Sequence, residues 1–142
     1  MLDIKRIRER PDEVREGLKR RWMDTALVDK VLELDAKRRA LVTETDALKA
    51  KRNDVSKSIG ARVKAGEDVE AVKAEMRALG DAIAAKDVEI RETEVAFREA
   101  MLRIPNVPNK DIATGPDSSG NRDVRHVGTM PTFDFKPLDH IA

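Results

Sequence analysis

The residues best suited to acid–base or metal chemistry are His126 and His140, 14 residues apart near the C-terminal end of the chain. No cysteine and no compact carboxylate cluster joins them, so their spacing builds neither a metal site nor a base with a partner. Ser118 and Ser119 lie in "GPDSSGNRD", a turn-like stretch with no base placed to activate a hydroxyl. The glycines of "TGPDSSGN" lack the Gly-Lys-Ser/Thr ending of a phosphate loop, and no strand clearly precedes them. The residues therefore point to binding rather than catalysis.

Charge is the chemistry that remains. "KAKRNDVSKSIGARVK", from Lys49 to Lys64, holds Lys49, Lys51, Arg52, Lys57, Arg62 and Lys64 against one acid, Asp54. The whole chain carries only +1. The positive charge is segregated: residues 25–64 hold ten bases and six acids, whereas residues 67–104 hold six bases and ten acids. Segregation, not net charge, is the signal of an electrostatic surface.

Long helices must position that charge. Charged residues make up 39% of the 142 residues and aromatics 3%, with no Tyr. Such a chain lacks the bulk for a wide core and suits helices that bury a narrow seam. Residues 1–23 read as two short helices at a base, with Pro11 in the first turn of the second, followed by Asp12 and Glu13 at its positive end. Ile4, Ile7, Val14 and Leu18 give them an apolar face, and Trp22 is expected to pack beneath the next element. Asp24 or Thr25 can cap a third helix.

From there apolar residues recur every seven positions. Leu27, Leu34, Leu41, Leu48 and Val55 form a strong row, and Val31, Arg38, Thr45, Arg52 and Ile59 a weaker one. Gly66 in "VKAGED" is a natural C-cap, and Glu67 or Asp68 an N-cap for the next helix. There Met76, Ile83, Ile90, Phe97 and Ile104 form the strong row, and Val72, Leu79, Lys86, Thr93 and Ala100 the weak one. Folding back at Ala65–Gly66 places strong row on strong row, with paired numbers summing to 131. Gly80 then lies near Arg52 and is expected to make room for it.

The predicted fold is all-α: a long antiparallel two-helix coiled-coil hairpin, a short N-terminal helical segment and a mostly irregular C-terminal tail. The expected units are residues 1–23 at the base, 24–104 as the hairpin with its turn near 64–68, and 105–142 as a linker. Pro105 ends the hairpin in "IPNVPN", and "TFDFKP" suggests a strand at the entry of a further domain that the chain does not contain. The start shows no signal peptide, and no run reaches the roughly 20 apolar residues of a membrane span. A cytoplasmic protein is expected.

With Leu48 at heptad position d, Lys30, Lys37 and Lys51 fall at g, Arg38 and Arg52 at a, Lys49 at e, and Lys57 and Lys64 at f. Pattern alone leaves three uses for these groups. An ordinary solvated coiled-coil surface neutralised by cross-helix pairs leads, a phosphate-binding flank for structured RNA follows, and a protein-interaction or chaperone-like module comes third.

The ordered set of segments resembles the opening of bacterial-type seryl-tRNA synthetases. "MLDIKRIRERPDEVREGLKRR", with its Arg-x-x-Pro-x-x-Val-Arg-x-x-Leu-Lys pattern, is followed by "VDKVLELDAKRR", "LKAKRNDVSKSIG", "IPNVPN", "GNRDVRHVG" and "FDFKPLDH". The resemblance covers essentially the whole chain. It implies the N-terminal tRNA-binding arm of a serine–tRNA ligase, an ATP-dependent class II enzyme. Such an arm holds the long variable arm and elbow of serine tRNA by shape and backbone. It further implies a homodimeric parent enzyme that uses ATP and Mg²⁺, with no cofactor in this chain and neither membrane nor DNA as partner. The catalytic motifs have no counterparts here, so no catalysis by this chain alone is expected. The candidate tRNA-binding residues are Lys37, Arg38, Lys49, Lys51, Arg52, Lys57, Arg62 and Lys64.

Overall fold

The computed structural model describes residues 2–66 and 70–140. Helices α1 (Ile4–Glu9) and α2 (Pro11–Lys19) form the base, and α3 (Ala26–Lys64) and α4 (Glu70–Arg103) form the hairpin. At 1.5 Å per residue, 39 and 34 residues give rods roughly 58 and 51 Å long. Local chemistry sets the ends. Asp3 accepts from the Lys5 N–H to open α1, and Pro11 opens α2. Asp24 accepts from the Ala26 N–H at 2.8 Å to start α3. Gly66 takes φ +73° just past the end of α3, the left-handed conformation a terminating residue needs. The caps expected at Glu67 and Asp68 lie outside the described residues.

The heptad rows form the seam. All twenty positions of the four rows are buried or half-buried. Register can be read from four cross-helix ion pairs, Arg38–Glu94, Lys49–Asp87, Lys51–Glu75 and Glu44–Lys86. Their numbers add to 132, 136, 126 and 130, which bracket the predicted 131. Within the polar middle of the weak row, the buried Thr45 hydroxyl donates to the Leu41 carbonyl at 2.7 Å.

At the base the seam widens. Leu2, Ile7, Val14, Leu18, Val28, Val31, Met101 and Ile104 form one buried cluster. Val28 and Asp35 occupy e positions, normally half-solvated, yet both are fully buried. Helices α1 and α2 pack on α3 there and cover that flank. Asp35 is held among three guanidinium groups, with Arg39 Nε at 3.0 Å, Arg8 Nε at 3.4 Å and an Arg38 terminal nitrogen at 3.7 Å. Arg8 belongs to α1, so this carboxylate ties the base to the arm.

Three expectations are corrected. Trp22 does not pack beneath α3. It is 70% exposed with φ +56°, because it takes the left-handed position that ends α2 and its side chain turns outward. Gly80 does not make room for Arg52, since a Cβ there would meet nothing within 4 Å. "TFDFKP" forms no strand, because no second strand lies beside it among the described residues. Phe133 and Phe135 pack against each other instead, with ring centroids 5.2 Å apart and the rings tilted by 49°.

The tail is fastened at its start. Arg20 donates to the carbonyls of Asn109, Lys110 and Ile112 at 3.0, 3.1 and 2.7 Å. Val107 lies against Gly17, where an added Cβ would sit 3.1 Å from a Val107 methyl. Beyond a single 3-10 turn at Ser118–Gly120 the chain is irregular, with Val124, Val127 and Met130 exposed. Among the described residues no helix is long and apolar enough to cross a membrane.

Candidate nucleic-acid interface

The arm is a long helix pair whose cations differ in how free they are to meet an anion. The eight candidates divide into four groups. Lys37 and Lys64 are exposed, Arg52 is half-buried, and none has an ion pair with a described residue. Lys49, Lys51 and Lys57 are engaged, the first two across the hairpin with Asp87 at 3.3 Å and Glu75 at 3.0 Å, the third with Asp54 at 3.8 Å. Arg62 is exposed near the tip.

Arg38 stands apart. Its guanidinium lies over the Phe97 ring at 5.3 Å and bridges Asp35 and Glu94, at 3.7 and 4.0 Å. Its Nε is buried without a hydrogen-bond partner. The structure thus uses Arg38 to close the seam, where stacking and charge pairing both hold it.

Pairing does not cancel the flank. Exposed pairs such as Lys51–Glu75 are each worth about 0–1 kcal/mol, so a phosphate can displace the carboxylate at small cost. Lys86 differs. The Glu44 carboxylate, bonded to it at 2.8 Å, holds its ammonium above the usual lysine value, with Glu89 adding to the effect. It stays charged and committed to the seam.

The sequence reading missed a second row. Arg77, Arg91 and Arg98 fall at one heptad position of α4, with Ala84 between them, and all three are exposed without an ion pair to a described residue. Their 14- and 7-residue spacing was the available signal, hidden by the net acidity of α4. The interface therefore offers cations on both helices. Among the described residues no group of three or more His, Asp or Glu side chains could hold a metal ion. No chemical step is assigned to these residues.

Known proteins share this fold. The pattern of the family described as the seryl-tRNA synthetase N-terminal domain matches residues 1–108. A serine–tRNA ligase of Thermomicrobium roseum is 49% identical over 140 residues, covering 99% of this chain and 31% of that protein. One from Roseiflexus castenholzii is 45% identical and is covered to 33%. The chain spans about a third of the length of these curated relatives. Among solved structures, the seryl-tRNA synthetase from Pyrococcus horikoshii complexed with ATP superposes with a TM-score of 0.78 at 32% identity, covering 84% of this chain and 27% of that one. The cytoplasmic serine–tRNA ligase from Naegleria fowleri in complex with AMP gives 0.77 at 26% identity, covering 91% and 35%. With its sequence matched over both helices of the arm and its fold shared with solved synthetases, the chain belongs to the seryl-tRNA synthetase N-terminal domain family.

Proposed function

We propose that the α3–α4 hairpin is the tRNA-holding arm of a serine–tRNA ligase, gripping the long variable arm and elbow of serine tRNA for aminoacylation. The observation that carries this reading is the family match over residues 1–108, which spans the whole hairpin. The physical arrangement supports it. A hairpin of this length with cations along both helices suits a backbone-tracking contact. The parent enzyme is a homodimer in which one subunit's arm directs tRNA to the partner's active site. The ATP and Mg²⁺ of the parent enzyme are assigned to its catalytic part. The interface cations are Lys37, Arg52, Arg62 and Lys64, with Lys49, Lys51 and Lys57 released from their carboxylates on binding.

Replacing Lys37 and Lys64 together with Ala tests this. Binding of a serine tRNA transcript should weaken, and the log–log salt slope should become shallower by about 0.7–0.9 for each lost phosphate contact. Helical content should be unchanged, since both side chains are exposed. An unaltered slope would remove these residues from the interface.

A further inference from the structure

Helix α2 ends in a Schellman arrangement. The Trp22 N–H donates to the Lys19 carbonyl at 2.9 Å, and the Met23 N–H donates to the Leu18 carbonyl at 3.0 Å. The residue that must turn left-handed between them is Trp22, at φ +56°. Glycine suits this position because any Cβ crowds the neighbouring carbonyl, and a bulky side chain is among the worst choices. The fold gains little in return. The indole is 70% exposed and lies outside the buried cluster of the base. A strained backbone that carries an unburied large side chain marks a residue kept for contact with something outside the chain.

The neighbours say what kind of contact. Arg20 is folded back onto three carbonyls of the tail, so it fixes the turn rather than the ligand. Arg21 is exposed without an ion pair to a described residue, and Lys19 has only a 3.9 Å pair with Glu16. The ring therefore stands on a hydrogen-bonded turn that also carries two available cations, Arg21 immediately before it and Lys19 three residues before it in sequence. Apolar protein partners need apolar neighbours, and of the residues adjacent in sequence only Met23 is apolar, 36% exposed. A flat π-face flanked by cations is the pattern that takes an unpaired nucleobase and its phosphates.

We propose that Trp22 is a stacking platform for an unpaired nucleobase of the RNA held on the arm, with Lys19 and Arg21 meeting the adjacent phosphates. This rests on the RNA-binding reading above and adds a base-contacting residue at the base of a hairpin that otherwise offers phosphate contacts.

Trp22 is the only tryptophan, so intrinsic fluorescence reports on this ring alone. The 142-residue chain would be titrated with a serine tRNA transcript, followed by indole emission and, independently, by retention of labelled RNA on a filter. Emission should change and saturate at the same midpoint as retention. Trp22→Gly should raise the melting temperature, because it relieves the left-handed strain, while weakening binding roughly 5- to 150-fold. Trp22→Phe should retain most of the affinity. Normal retention with unchanged emission and an unweakened Trp22→Gly variant would overturn the platform, leaving the ring to a protein partner, while the RNA reading stood. Trp22→Phe as weak as Trp22→Gly would also overturn it. No retention by the wild-type chain would overturn both.

Discussion

Replacing Asp35 with Asn removes one charge from a fully buried site and leaves its shape almost unchanged. The wild-type carboxylate faces Arg39 at 3.0 Å, Arg8 at 3.4 Å and Arg38 at 3.7 Å. The three arginine side chains are 56, 39 and 31% exposed, so water screens each of them in part. Losing the Arg39 bond and the two longer pairs removes about 1–2 kcal/mol in all. The Asn amide adds a buried donor that faces cations instead of acceptors, at about 1–2 kcal/mol more. The total is about 2–4 kcal/mol, a fall in melting temperature of roughly 6–15 °C for a helical unit of this size. Thermal melts followed at the helical circular-dichroism band give the shift, and hydrogen exchange should show α1 losing protection first. Arg8→Ala alone should cost less. The double variant should cost less than the sum, because both changes remove the same contact. A melting temperature within 2 °C of wild type for Asp35→Asn would refute the claim that this carboxylate ties the base to the arm.

Other perturbations have a stated direction. Gly80→Ala should stabilise the hairpin by about 1 kcal/mol in a denaturant titration, since its Cβ meets open space and helix propensity improves. Gly17→Ala gains similar propensity but presses on Val107, so global stability should change little while limited proteolysis after residue 107 accelerates. Acid should loosen the contact between α1 and α2. The Arg6 guanidinium, hydrogen-bonded to Glu13, holds that carboxyl below its ordinary 4.5, with Arg10 adding to it. Its contribution is therefore full above that value and lost as pH falls through the depressed one. A carboxyl NMR titration placing Glu13 at or above 4.5 would contradict this.

The long-range geometry of the hairpin was legible because a seven-residue repeat forces it. Leu27 to Val55 and Met76 to Ile104 can be buried together only if the helices run side by side, and Gly66 marks where α3 stops. Pro11 was equally plain, since its missing N–H is harmless only in a first turn. What stayed hidden depends on docking. Nothing in the heptad distinguishes Asp35 from any e-position acid until α1 covers that flank. Arg20 looks like one more surface cation until the tail carbonyls arrive. Trp22 misled because large apolar residues are usually buried, whereas backbone termination of α2 outranked side-chain burial at that position. Within the site, the α3 cations were visible as a charge run. The alternation of Arg77, Arg91 and Arg98 on α4 was masked by surrounding acids.

The most direct measurement is equilibrium binding of this chain to two tRNA transcripts, one with a long variable arm and one matched to it with that arm shortened, at several salt concentrations. A tRNA-holding arm should bind the long-arm transcript roughly ten-fold more tightly or better, with affinity falling steeply as salt rises. Equal affinity for both transcripts, or no binding to either, would contradict it.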